Sequence, residues 1–333
     1  MKTVCVLGAG AWGTAVATLL ANNGYNVRLW SHEDDVVREI CKQRINTTYL
    51  PGIVLDPRIE ATTDLQQAIC GASWIFEAVP VKFLRDVLQK ALPCYNSGQT
   101  WVVLSKGIEQ KTLLLPTQII DDVFGRATKK AVFSGPSFAA DLAKKQITAV
   151  TLAATDCAVA LELQKVLANH YFRPYISLDI IGAQVGGAIK NVLTLGIGML
   201  DGAGYSDNAK AFLLTRGLHE IVQIAVALGG RQETIYGLSG VGDLVLTSMG
   251  NLSKNLALGK RLGQGDSLTS LSASSSVVPE GINTIQSVYE LIERYKLDLP
   301  ICQGLYHVIF NEKTINEFLA QLMARPLENE CII

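Results

Sequence analysis

Apolar residues in the first half of the chain gather into short runs rich in Val, Ile, Leu, Phe and Trp. They stand at Thr3–Leu7, Asn26–Trp30, Trp74–Val79, Trp101–Ser105 and Ala131–Ser134, with weaker runs near Thr148–Ala153 and Tyr175–Leu178. Runs this short and this apolar fit strands covered on both faces, not strands with one wet face. Between them the apolar spacing lengthens to the helical period over Trp12–Asn22, Val36–Gln43, Lys82–Ala91 and Phe138–Lys144. Strands alternating with helices predict βαβ units and an α/β fold with a doubly wound, mostly parallel sheet. Directly after the strands come GAGAWG, SHED, PVKF, KGIE and GPSF. The carboxyl ends of such strands line the ligand crevice, so functional residues are expected there.

After about residue 180 the strand-like runs stop. Helical patterns follow at Ile180–Asp201, Asn208–Leu228, Asn255–Gly263, Ile282–Lys296, Leu305–Phe310 and Ile315–Met323. The division expected is a dinucleotide-binding domain over residues 1–179 and an all-helical substrate and catalytic domain over 180–333. Between Gly263 and Glu280 the stretch GQGDSLTSLSASSSVVPEG reads as a mobile loop, centred on 266–277.

Composition narrows the class. The 333 residues carry 29 Lys+Arg against 30 Asp+Glu, a net charge of -1, which offers no general attraction to nucleic acid or anionic membrane. At 49% hydrophobic and 18% charged, the chain can bury sizeable cores. Its seven cysteines (5, 41, 70, 94, 157, 302 and 331) contain no C-x-x-C, so a reduced cytoplasmic protein without a disulfide framework or zinc site is expected. Residues 3–23 carry no charge, as a membrane span would, but glycines at 8, 10 and 13 break the run into strand, turn and helix. No integral membrane segment is expected.

Five places could carry chemistry. Gly8-Ala9-Gly10-Ala11-Trp12-Gly13 follows a strand and opens a helix, the context a dinucleotide fingerprint requires. Gly8 permits the turn, Gly10 lets a pyrophosphate approach, and Gly13 allows close helix–strand packing. At the end of the second strand, where an NAD-selective site places an acid, the sequence reads Arg28-Leu29-Trp30-Ser31-His32, with none until Glu33. NADP(H) should therefore be tolerated, with NAD(H) also in view. Lys106 and Ser137 follow strands at the crevice rim; the plain alternatives are a solvated lysine and a helix cap at Phe138. Lys190 is the only charge from Ile180 to Leu200. An ammonium there must snorkel, pair or face a polar cavity, and burial lowers its pKa toward that of a proton donor working near neutrality. Asp243 follows Gly240-Val241-Gly242, where a turn aspartate is the plain alternative. Asn251-Leu252-Ser253-Lys254-Asn255 starts a helix with a hydroxyl, an amide, a cation and free N–H groups, a set suited to phosphate.

These residues together resemble the bacterial glycerol-3-phosphate dehydrogenases. GAGAWGTA, SKGIE, SGPSFA, GGAIKNV, TRGLHE, GLSGVGDLVLT, LGQG and VPEG occur in order from the N-terminus to about residue 310. The resemblance implies NAD(P)H-dependent reduction of dihydroxyacetone phosphate to sn-glycerol 3-phosphate for phospholipid synthesis, without a metal. It makes Lys190 the catalytic lysine, with Asp243 orienting it and Lys106 adding charge. It assigns Lys106, Gly135, Ser137, Lys190, Asp243, Ser253 and Asn255 to the substrate. It places Gly8, Gly10, Trp12, Gly13, His32, Lys106, Ala139, Lys254, Val278 and Glu280 near the cofactor. Lys254 departs from the family, which has arginine there; lysine has no bidentate fork for phosphate. The alternatives are a related two-domain hydroxy-acid dehydrogenase, against which the LSKN segment argues, and a non-catalytic NAD(P) sensor, which has no use for a buried lysine. A homodimer is compatible with the sequence, which by itself sets no oligomeric state.

Overall fold

In the computed structural model, residues 2–250, 252–274, 280–310 and 313–327 are described. Eight strands form one sheet: β1 Thr3–Leu7, β2 Asn26–Trp30, β3 Ile59–Thr62, β4 Trp74–Glu77, β5 Thr100–Val103, β6 Lys129–Ser134, β7 Thr148–Ala154 and β8 Phe172–Ser177. Their order is β3-β2-β1-β4-β5-β6-β7-β8. Every neighbouring pair is parallel except β6 and β7, which run antiparallel. The order reverses between β1 and β4, and an open sheet leaves its crevice at such a reversal.

Alternate residues of single strands feed two cores, which is why the strands read as unbroken apolar runs. Val4, Val6, Phe76, Val102 and Phe133 face one side with Val16, Leu19 and Leu20 of the Ala11–Asn22 helix. Cys5, Leu7, Ile75, Trp101 and Val103 face the other with Leu84, Leu88, Ile119 and Ile120. β3 leaves no apolar run in the sequence, because IEAT buries only Ile59 at the sheet edge. β8 begins earlier than its apolar pattern, at Phe172, and tolerates Pro174 because it is the opposite edge strand. Helices at Leu65–Ile69, Pro116–Phe124, Cys157–Leu167 and Asp243–Met249 also lie outside the set the pattern predicts.

The third core is helical and is built around Ile180–Gly202. That helix is long and apolar enough to cross a membrane, but 94% of its most apolar stretch is buried inside the protein. It is a core helix. Asp179 caps it, accepting from Gly182 N at 2.8 Å and, through its other oxygen, from Arg231 N at 2.8 Å. Further along, buried Glu220 accepts from the N–H groups of Ile301 and Cys302 at 2.6 and 2.8 Å, holding the start of the Pro300–Phe310 helix.

Part of the stretch expected as a loop is ordered. Leu268–Ser274 is a helix, begun by Ser267 Oγ accepting from Ser270 N at 3.2 Å, and Leu271 is buried. Apolar Leu268 and Leu271, three apart behind a capping serine, outweigh the low helix propensity of the serines. Residues 275–279 of that stretch, Val278 among them, lie outside the described residues.

Candidate active site

The glycine loop leaves β1 between the ends of β2 and β4. Gly8 N–H donates to Trp30 O at 2.9 Å, and Ala78 N–H donates to Leu7 O at 2.8 Å. Gly8 has φ +106°, and a Cβ there would lie 2.7 Å from Ala78 O, so only glycine fits. A Cβ on Gly13 would lie 1.8 Å from Gly8 O. Gly10 differs: nothing lies within 4 Å of its Cβ position, and no side chain caps the Ala11–Asn22 helix that starts after it. First-turn N–H groups therefore face open space at the positive end of a helix, an arrangement that fits a pyrophosphate. Trp12 is held edge-on to Phe133, ring centroids 5.6 Å apart.

Lys106 leaves the end of β5, Lys190 comes from the core helix, and Asp243 opens the helix Asp243–Met249. The fold brings the three together. Asp243 is 1% exposed; its Oδ2 accepts from Lys106 Nζ and its Oδ1 from Lys190 Nζ, each at 2.5 Å. Thr247, one turn after Asp243, accepts from Lys190 Nζ at 2.6 Å and donates to Asp243 O at 2.6 Å. One carboxylate between two ammonium groups leaves a net positive charge at the inner end of the crevice. Lys190, 7% exposed, neither snorkels nor stands unpaired. Two of its three N–H donors are used by Asp243 and Thr247, which fixes the aim of the third. Burial pushes its ammonium from the ordinary 10.5 down to about 8; Asp243 opposes the shift and Lys106 adds to it.

Small residues make this meeting possible. A Cβ on Gly187 would lie 2.6 Å from Ser134 Oγ and 3.4 Å from Lys106 Cδ, and one on Gly186 would lie 2.6 Å from Ser239 O. Ser134 Oγ, at the end of β6, is buried with no hydrogen-bond partner among the described residues, a free polar atom beside the lysines.

Gly135 and Ser137 sit in the next loop, which packs against Gly242 through Pro136. Ser137 is not a helix cap: the following helix is Ala139–Ala143 with Phe138 at its N-cap, and Ser137 Oγ donates to Gly135 O at 2.8 Å. The short turn after β6 closes on itself and delays the helix by one residue. Ser253 does cap, its Oγ accepting from Leu256 N at 3.2 Å at the start of the Lys254–Gly263 helix. Asn255 is buried beside the core helix, donating to Asn191 Oδ1 at 3.1 Å and accepting from Gly281 N at 3.2 Å. Lys254 points outward and is exposed, and so is His32.

Four participants were not foreseen. Thr247 touches Lys190 and Asp243, and a threonine four after the aspartate in DLVLT marks the same helix face; Asn191, next to Lys190 in sequence, accepts from Asn255. Asn46 is fully buried under the glycine loop. Glu77 is an acid inside the apolar run WIFE, the one visible trace of its role. It accepts from Val79 N and Ser105 Oγ, both at 2.6 Å, tying β4 to the segment that carries Lys106. Burial raises its carboxyl to about 7, with Glu280 adding to the shift. Glu280 opens the Glu280–Tyr295 helix, 3.3 Å from the Cβ position of Gly107, and burial raises it to about 7 as well. Among the described residues, no group of three or more His, Cys, Asp or Glu could hold a metal ion.

Residues 3–160 match the family model described as NAD-dependent glycerol-3-phosphate dehydrogenase N-terminus, and residues 179–320 match its C-terminus counterpart. The chain belongs to this family. A glycerol-3-phosphate dehydrogenase [NAD(P)+] of Bacillus pumilus is 40% identical over 332 residues, covering 99% of this chain and 96% of the relative. One of Geobacillus thermodenitrificans is 43% identical, covering 99% and 97%. The crystal structure of the Coxiella burnetii glycerol-3-phosphate dehydrogenase superposes with a TM-score of 0.92 at 32% identity, covering 97% of this chain and 99% of that one. The doubly wound sheet with an appended helical region is thus the family architecture.

Proposed function

We propose that this protein reduces dihydroxyacetone phosphate to sn-glycerol 3-phosphate with NAD(P)H, reversibly, and so supplies glycerophospholipid synthesis in the cytoplasm. The observation that carries this reading is the Lys106–Asp243–Lys190 cluster, with the helix N-terminus at Ser253–Asn255 brought alongside the core helix by the Asn255–Asn191 hydrogen bond. When bound, the reduced nicotinamide supplies hydride to the carbonyl carbon. Gly8, Gly10 and Gly13 would hold the pyrophosphate, with Trp12, His32, Ala139, Lys254 and Glu280 completing the cofactor's surroundings. Lys190 gives its proton to the carbonyl oxygen as charge develops there, and in the reverse direction takes the hydroxyl proton. Asp243 and Thr247 aim Lys190; Lys106 and the net positive charge stabilise the oxyanion. Gly135, Ser137, Ser253 and Asn255 hold the phosphorylated substrate, the last two at the positive end of a helix.

In this reading residues 1–179 hold the cofactor and 180–333 supply substrate binding and catalysis. One chain contains every group named; a homodimer is an assembly compatible with the sequence, and light scattering in solution tests it. Oxidation of NADH and NADPH, followed by absorbance with dihydroxyacetone phosphate and separately with a 2-oxo acid, tests the reaction. Turnover of the 2-oxo acid alone would point to a hydroxy-acid dehydrogenase. Binding of NAD(P)H without turnover of either would point to a sensor.

A further inference from the structure

The end of β2 holds a feature that the lysine chemistry does not use. Ser31 is buried, and its Oγ accepts from Glu33 N at 3.2 Å, which folds the chain into a tight turn. Glu33 then stands at the N-cap of the Asp34–Gln43 helix in extended backbone. Its side chain does not cap that helix. Instead, Glu33 Oε1 accepts from Tyr49 Oη at 3.0 Å. Tyr49 is itself fixed, its N–H donating to Asn46 Oδ1 at 3.2 Å. Asn46 Nδ2 in turn donates to Ala9 O and to Thr14 Oγ1, each at 2.9 Å. Ala9 lies between the first two glycines of the loop. The Glu33 carboxylate is therefore tied, through Tyr49 and Asn46, to the segment on which a pyrophosphate would sit.

The charges around it are mostly negative. Asp34 and Asp35 occupy the first turn of the helix that Glu33 opens. Arg38 pairs with Asp35, and none of the ion pairs found among the described residues involves Glu33. An oriented carboxylate without a cation beside it can accept from a ribose 2′-hydroxyl and repels a 2′-phosphate. The motif SHED by itself points the other way, because its acid falls three residues after Trp30, the last residue of the strand. The turn at Ser31 and the anchor from Tyr49 account for the displacement.

We propose that Glu33, oriented by Tyr49, reads the adenosine 2′-position and makes this enzyme select NADH over NADPH. The proposal rests on a dinucleotide lying along Gly8–Gly13 and goes beyond the NAD(P) usage named for its relatives. Dissociation constants of NADH and NADPH, read from the fluorescence of the bound reduced nicotinamide without substrate, test it. NADH should bind the unmodified protein at least about tenfold more tightly, the size of one charge-assisted hydrogen bond. Glu33→Gln should bring the two constants to within about threefold, loosening NADH and tightening NADPH. Glu33→Arg should reverse the order, and such a gain of NADPH binding cannot arise from misfolding. Tyr49→Phe, which keeps the carboxylate but removes its anchor, should loosen NADH while leaving NADPH weak. Near-equal constants in the unmodified protein, or a preference that survives in Glu33→Gln, would overturn the role of Glu33. Absence of binding by either cofactor would instead remove the placement along the glycine loop, and this proposal with it.

Discussion

Replacing Asp243 with asparagine isolates the electrostatics of the site with almost no change of shape. In the native arrangement a carboxylate that is 1% exposed lies 2.5 Å from both Lys106 Nζ and Lys190 Nζ. It works against the burial that lowers the Lys190 ammonium to about 8. Two unit charges about 4 Å apart at an effective dielectric near 20 interact by about 4 kcal/mol, close to three pKa units. Half that loss would carry Lys190 below neutrality, and the repulsion from Lys106 would remain. Lys190 must be protonated to act as the acid in carbonyl reduction. The pH profile of kcat/KM for dihydroxyacetone phosphate should therefore fall above about 8 in the native enzyme. In Asp243→Asn the descending limb should begin about one to one and a half units lower, and kcat at pH 7.5 should drop by roughly three- to tenfold as the protonated fraction of Lys190 falls. NADH affinity, measured by fluorescence, should be unchanged, because Asp243 lies away from the glycine loop. A descending limb that stays in place with near-native kcat would refute the claim that Asp243 sets the protonation of Lys190.

Lys190→Ala should lower kcat by about 10²–10⁴ while the NADH dissociation constant holds, and a near-native kcat would remove Lys190 as proton donor. Lys254 is exposed, so its pull on a phosphate is screened; Lys254→Ala should raise KM for dihydroxyacetone phosphate or the cofactor by only about fivefold. Unchanged KM values for both would leave the anion site to Ser253, Asn255 and the helix N-terminus. Glu220 is raised from 4.5 to about 7 by burial, against the backbone N–H groups of Cys302 and Ile301 that it accepts from. Its folded pKa lies above the unfolded one, so its contribution to stability is full below about 4.5 and is lost as pH rises through about 7. Glu220→Gln should therefore flatten the fall in Tm between pH 5 and 8, by an amount on the order of 3 kcal/mol in stability at most; an unaltered slope would contradict the assignment.

Local pattern determined a good deal of this protein. The apolar runs located β1 and β4–β6 because those strands are buried on both faces, while β2 was legible through alternation, with only Val27 and Leu29 buried. The glycine fingerprint was legible for a similar reason: a turn that no side chain fits leaves glycine at fixed spacing. A single lysine in a 23-residue apolar helix was equally plain. Pattern failed where neighbours in space, not in sequence, decide the outcome. β3 offers one buried residue to the sheet, and the helix at Leu268–Ser274 depends on Leu271 finding a core. Asp243 could have been a turn residue until the fold set it against Lys190, 53 residues away, and Lys106, 137 away. Glu33 could have been any surface acid until Asn46 and Tyr49 tied it to the glycine loop. Periodicity records how deeply a segment is buried. Which charges meet depends on how a helix packs across the end of a sheet, and that exists only once the chain has folded.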